Sequence, residues 1–496
     1  MHSLHQYMTL RRISAAAVLL ATAPLWAQSS HSTPIALTHV TIIDTRGGAS
    51  APDMTVVVEG DHIVAVTPAS QSKPPARAQV IDAQGKFVIP GLWDMHTHSF
   101  LAPDLTRQLS MYLANGVTGV RDTGGMWKYL DPYLKARREG RTPEPLPAAP
   151  RIVSGGVIID GFPSYDSFVQ GMMLSVKNAQ EAREAVDENK RHGADFIKVY
   201  SYLGRDAYYA AADEAKKQGL TFAGHVPYTI SAAEASDAGQ RSLEHADGIL
   251  LASSTEEAQI RDQVLKGIPY SHSSDLEAFR LYFIVEYYRP MRSYSASKAA
   301  ALFAKFVKNG TAVCPTLVTQ RMLIQTDKDT AVNQLTERYE PASRRAEWRK
   351  ITQGLAWTPQ EDIQIQEMYR RLLTLVGDLH RAGVTLLAGT DTGVQYIVPG
   401  FALHEELGLM VASGLTPLEA LQTATLLPAR FLGRERELGT IEPGKLADLV
   451  LLDADPLIDI HNTTKINAVF ANGTYLPQKT LQGLLANVAA ATSRGE

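Results

Sequence analysis

Between Pro90 and Gly433, short runs rich in β-branched residues alternate with longer stretches of helical period, and this alternation constrains the fold more than any other feature of the chain. Eight such runs stand out, at 92–98, 117–122, 151–158, 195–200, 220–225, 241–245, 311–318 and 384–391. Strands separated by helices pair in parallel, and eight of them predict an α/β fold of the (β/α)8 TIM-barrel type. The intervening segments carry helix stop signals: "VKNAQEAREAVDENKRHG" closes on Gly193 and "RDAYYAAADEAKKQG" on Gly219. The region exceeds the roughly 250 residues of a typical barrel. Its largest excess is a charged insertion of helical period at 320–371, which reads either as a solvated excursion or as a lid over the barrel mouth.

The flanks have another texture. "ALTHVTIID", "MTVVVEG" and "HIVAVTP" precede the barrel, and "LADLVLLDADP", "INAVFANG" and "TYL" follow it, broken by Gly, Asp and Pro as strands are. Residues 28–89 and 434–485 are therefore expected to pair as one composite β-sandwich domain beside a barrel at 90–433. Ahead of both, Arg11 and Arg12 precede an apolar run from Ile13 to Leu25 and a small residue at Ala27, the layout of a secretory signal peptide cut after Ala27. That run is shorter than the roughly 20 residues that span a bilayer, so a periplasmic or secreted protein without a membrane anchor is expected. Leu10 stands where a twin-arginine signal would carry Ser or Thr. Lysine and arginine total 48 against 52 acidic residues, so no basic field exists for nucleic acid. Cys314 is the single cysteine, which excludes an intrachain disulfide.

In a barrel the C-terminal strand ends converge on one mouth. Here they carry His96 and His98, Lys198, His225, His245 and Asp391, an inventory of metal-ligand types. The two histidines of "HTH" point the same way on a strand of period two. Lys198 enters such a set only if its amine has added CO2, giving an anionic carbamate able to bridge two cations. Each residue alone has a plainer role: a hydrogen-bonded histidine, a turn aspartate, a paired lysine. Six of them at the ends of five separate apolar strands favour the metal-centre reading.

The motifs "VIPGLWDMHTH", "GVTGVRDTGG", "FIKVY", "FAGHVP", "SLEHADG", "LLAGTDTG", "LHEELGLMVASGLTPLEALQTATLLPARFLG" and "GTIEPGKLADLVLLDADP" resemble the metal-dependent amidohydrolase superfamily. Within it the chain is similar to the imidazolonepropionase-like branch that includes Xaa-Pro dipeptidases and ochratoxinase-like amidases. The resemblance implies that His96, His98 and Asp391 hold one divalent ion, that His225 and His245 hold a second, and that carbamylated Lys198 bridges them, with zinc the expected metal. It implies hydrolysis of an amide in a small substrate such as an Xaa-Pro dipeptide or an N-acyl amino acid. A metal-bridging hydroxide would attack the carbonyl and Asp391 would carry the proton to the leaving amine. Tyr200 is a candidate to steady the developing oxyanion, with core packing as its other role. Arg121 and Asp122 line the pocket or form a buried ion pair, and His404 and Glu405 stand behind the ligands at most.

Two other functions stay open: a single-metal cyclic-amide hydrolase or deaminase with unmodified Lys198, and a binding protein without turnover. The substrate and the metal are not fixed by the residues, and a homo-oligomeric state is left open.

Overall fold

The computed structural model describes residues 33–141, 148–161, 171–267, 287–325, 330–354 and 357–495. The expected signal peptide, residues 1–27, lies outside them. The described residues belong to one compact unit, Thr33–Glu496.

Eight strands from the two flanks form one sheet: β1 (Ile35–Ile42), β2 (Ala51–Glu59), β3 (His62–Pro68), β4 (Gln79–Asp82) and β5 (Phe87–Pro90), then β15 (Leu449–Leu452), β16 (Ile466–Ala471) and β17 (Thr474–Pro477). The path runs β17-β16-β15-β5-β1-β2-β3, with β4 beside β1. Hydrogen bonds thus join these strands continuously, where the sequence suggests a sandwich of facing layers. The junction is the antiparallel pair of β5 and β15, with Phe87 opposite Leu452. Asn472 and Gly473, both at positive φ, make the two-residue turn between β16 and β17. Alternation divides the sheet's side chains between two cores. Val88, Leu449, Leu451, Ala468 and Phe470 join a cluster made only of the sheet's own strands and adjoining residues. Ile89, Val450, Leu452 and Val469, one position away, join the main core.

Between the flanks the described residues form nine strands: β6 (Leu92–Thr97), β7 (Val117–Asp122), β8 (Arg151–Ser154), β9 (Ile158–Asp160), β10 (Met173–Ser175), β11 (Phe196–Val199), β12 (Thr221–Gly224), β13 (Ser242–Glu244) and β14 (Ala312–Cys314). All their pairings are parallel, in the orders β6-β7-β8 and β10-β9-β11-β12-β13-β14. Two sequence-based expectations change. The run at 151–158 breaks at Gly155 and Gly156 into two strands. The run at 384–391 is not a regular strand: within it only Leu386 forms a bridge, to Val313, and the Ala388 N–H donates instead to the Thr423 carbonyl. Leu387 N–H donates to Val313 O, while Met95 N–H donates to Ala388 O.

Helices fill the intervals. Asn178 caps the N-terminus of Ala179–His192, and Gly193 ends it in the left-handed conformation. The expected insertion has no boundary at Arg371, because the helix Pro359–Arg381, opened by a capping box at Thr358 and Glu361, runs straight through it. Trp348, in the helix Ala342–Gly354, packs 5.3 Å from the ring of Tyr396, so this part of the insertion is docked in a buried cluster. The helix Gln478–Arg494 packs against the helix Leu105–Ala114. No helix among the described residues is long and apolar enough to cross a membrane.

Candidate metal centre

The strand ends bring the predicted residues together. His96 is on β6 and His98 just beyond it, Lys198 is on β11, and His225 and His245 directly follow β12 and β13. All are buried, as is Asp391 on the irregular eighth segment. That segment passes so close to β6 that a Cβ on Gly389 would lie 2.8 Å from the backbone nitrogen of His96 and 2.5 Å from Cys314 Sγ. Only glycine permits this approach, which sets Asp391 beside the two histidines. Asp391 Oδ1 lies 3.3 Å from His96 Nε2 and 3.2 Å from His98 Nε2. Ring centroids of His245 stand 4.7 Å from those of both His96 and His225, which joins the second pair to the first.

Every one of the four imidazoles has its Nδ1 engaged on the side away from the centre. His96 Nδ1 donates to Glu244 Oε2 at 2.8 Å and His98 Nδ1 donates to the Gly124 carbonyl at 2.8 Å. His225 Nδ1 pairs with Ser201 Oγ at 2.8 Å and His245 Nδ1 with Thr316 Oγ1 at 2.7 Å. Such outer partners fix ring orientation and tautomer in metal sites. For His96 and His98 the partner is a pure acceptor, so the proton sits on Nδ1 and a neutral ring turns a lone pair toward Asp391.

That arrangement lacks a positive charge. His96 Nε2 is buried without a hydrogen-bond partner among the described residues, and so is Lys198 Nζ. The hydroxyl nearest His98 Nε2, that of Thr123 at 3.4 Å, also bonds Thr97 O. Burial holds the imidazoles of His96 and His225 below their usual range, and that of His245 down to about 3, so they stay neutral. Two imidazole nitrogens around a carboxylate oxygen fit a cation, and one donor atom from each of His96, His98 and Asp391 lies within 4.8 Å of the others. Burial also lowers the Lys198 ammonium below its usual range, favouring the neutral amine.

Backbone strain gathers here. His245, Thr316 and Asp391 all adopt positive φ, at 60°, 47° and 57°, a conformation that non-glycine residues hold only where the surroundings impose it. Tyr200 follows β11 with its ring centroid 3.9 Å from that of His225. Burial pushes its hydroxyl well above the usual range, so it remains a donor. Arg121 does not pair with Asp122. Its guanidinium grips both oxygens of Glu244, at 2.9 and 3.0 Å, while Asp122 accepts from the Ser99 N–H. His404 lies away from the ligands, bonded to Thr463 and to the Asn115 carbonyl, and Glu405 pairs with Arg321.

Glu244, Asp94, Ser201 and Thr316 were not singled out from the sequence. Asp94 accepts from the His96 and Thr390 amides and the Thr390 hydroxyl, tying β6 to the segment of Asp391. Its position two residues before His96 was the available signal. A cavity of about 760 Å³ opens at the other end of the strands, with Arg121, Arg137, Arg141, Arg151 and Arg434 in its wall. All five are already paired with acids, so the uncompensated donors lie at the histidine centre instead.

Residues 370–476 match the model of the amidohydrolase family. The 5-methylthioadenosine/S-adenosylhomocysteine deaminase of Moorella thermoacetica is 31% identical over 126 residues, which cover 24% of this chain and 28% of that relative. The chain therefore matches only about a quarter of that curated relative's length. Among solved structures, bottromycin amidohydrolase aligns with a TM-score of 0.67 at 22% identity, over 93% of this chain and 91% of that one. A Xaa-Pro dipeptidase with methionine bound in its active site aligns at 0.64 and 20% identity, over 90% and 100%. The resemblance carried by the motifs is borne out, and the overall fold is that of these structures.

Proposed function

We propose that this chain is a binuclear metal-dependent amidohydrolase that hydrolyses an amide bond of a small substrate, of the Xaa-Pro dipeptide or N-acyl amino acid class. The observation that carries this reading is the two imidazole nitrogens turned toward Asp391, that of His96 without a hydrogen-bond partner among the described residues, with Lys198 Nζ buried and likewise unbonded among them. In this reading the parallel strands close as a (β/α)8 barrel at 90–433, supported by the bonds of residues 387 and 388 to both β14 and β6. Residues 28–89 and 434–485 form a separate β-domain.

His96, His98 and Asp391 would hold one divalent ion, zinc by the N and O donor set, and His225 and His245 a second. The neutral Lys198 amine would add CO2 and lose a proton, and its carbamate would offer further anionic oxygen donors to the ions. When bound, the ions provide Lewis acidity toward the scissile carbonyl and a nucleophile from water at neutral pH. The protein's own groups do the rest. Asp391, ionised at neutral pH, takes the proton released on attack and delivers it to the departing amine. Tyr200 donates its hydroxyl to the oxygen on which negative charge develops. Glu244, Gly124, Ser201 and Thr316 hold the four imidazoles in register. Residues 1–27 direct export and are removed.

A hydrolysis screen of dipeptides and N-acyl amino acids, with metal content measured in the same sample, tests the proposal. Turnover with about two equivalents of metal is expected, and less than about one equivalent refutes it. The deaminase similarity favours a second reading, a deaminase with one ion and unmodified Lys198. Ammonia release with a single equivalent of metal would select it.

A further inference from the structure

Glu406 is fully buried on the helix Phe401–Ala412, two residues past His404, and it makes no ion pair among the described residues. Burial pushes its carboxyl up to about 8. What it touches is the start of another helix, Leu317–Gln325. Its Oε2 accepts the Val318 N–H at 2.8 Å, and the Leu317 amide also bonds its carboxyl. The first amides of a helix have no intrahelical acceptor, and a carboxyl oxygen placed there supplies one. Glu406 therefore caps this helix from outside, across 88 residues of sequence.

The capped end carries two ties to the metal centre. Thr316, immediately before the helix and at positive φ, places Oγ1 2.7 Å from His245 Nδ1. Thr319, in the first turn, donates to the carbonyl of Thr390 at 2.6 Å, next to Asp391. One helix terminus thus contacts a proposed ligand, His245, and the residue that precedes another, Asp391. We propose that Glu406 is a positioning residue of the centre, whose carboxyl fixes the start of the helix Leu317–Gln325 and through it the Thr316 contact that orients His245. This inference rests on the two-ion reading for its effect on metal, and on the hydrogen bonds alone for its effect on the helix.

The test compares Glu406→Gln, which keeps an acceptor oxygen, with Glu406→Leu, which has none, in the full chain. Zinc affinity is measured by competition with a chromophoric chelator, and amide exchange at Leu317 and Val318 is followed in the metal-free protein. The leucine variant is expected to lose about 10–100-fold in affinity for the ion of His225 and His245, and to exchange those two amides at least about 10-fold faster. The glutamine variant is expected to stay near wild type in both. Unchanged exchange in the leucine variant, or equal impairment of the glutamine variant, overturns the proposal. If Glu406→Leu does not fold, Thr316→Ala takes its place in the affinity measurement, where wild-type affinity for that ion would overturn the relay. A wild-type protein without zinc would refute the two-ion reading and leave the exchange result to decide the role of Glu406.

Discussion

His96 and Glu244 face each other across 2.8 Å with neither side chain exposed, and the same carboxylate is gripped on its other side by Arg121. Arg121 passes between Phe196 and Phe431, its guanidinium 5.6 and 5.2 Å from their ring centres. A metal-facing imidazole is thus held by a carboxylate that is itself held by a fixed cation. Glu244→Gln should weaken binding of the ion at His96 by about 10–100-fold. It should also destabilise the metal-free protein by about 3–5 kcal/mol, because Arg121 is left buried without its counter-charge. Chelator competition and denaturant unfolding measure the two effects; wild-type metal affinity would contradict the assigned role.

Lys198 offers a sharper discrimination. Lys198→Ala should reduce bound metal from two equivalents toward one and cut turnover by at least about 100-fold. In wild-type protein prepared under ¹³CO2, a carbamate carbon resonance should appear that the variant lacks. A variant with full activity removes the bridging lysine from the mechanism.

Asp391→Asn keeps the shape of the side chain and loses its capacity to accept a proton. A fall in kcat of about 10²–10⁴-fold is expected. Steady-state kinetics at matched metal occupancy would show whether the loss belongs to proton transfer or to lost metal.

The pH response of the metal-free fold can be assigned through His404, which burial holds down to about 4 against an ordinary value of 6.5. As pH falls through 6.5 the unfolded chain takes up a proton that the folded protein refuses until about 4. The unfolded state binds more protons across this window, so stability falls with falling pH, by about 3 kcal/mol in total from this residue. His225 and His245 act in the same direction. Chemical denaturation at pH 7 and 4.5 should therefore show a shallower pH dependence in His404→Gln than in wild type; identical slopes would exclude His404 as a source.

Trp348 and Tyr396 connect the insertion to the segment that bears Asp391, and Tyr396 is itself at a φ of 61°. Trp348→Ala should cost about 3–5 kcal/mol of stability. It should also lower turnover, since the left-handed Tyr396 loses its packing partner five residues beyond Asp391. Retained stability with unchanged turnover would mean that this helix is an independent excursion.

The six ligand-type residues were legible because each ends an apolar strand, where a polar side chain stands out. Their supports were not, because sequence proximity is no guide to them. Glu244 adjoins His245 in sequence, yet its carboxylate serves His96, 148 residues away. Thr316 meets His245 across 71 residues, and nothing local marks it apart from any other threonine. The run at 384–391 has strand composition, yet only Leu386 forms a bridge, to Val313, and the Ala388 N–H turns to Thr423, a diversion no local pattern states. The flanking strands were legible by alternation, while their joining in one continuous sheet depends on the pairing of β5 with β15, which no local pattern states.

That pairing also orders events in time. β5 is synthesised early and its neighbour β15 close to the end, with the whole central region between them. Val88 and Leu449 belong to one buried cluster, so an emerging chain carries half of that cluster uncovered until its last strands arrive. Contacts so remote along the chain close slowly. The sheet acts as a late checkpoint, and a ribosome that stalls before Leu449 leaves β5 with a bare edge and an obvious target for quality-control proteases.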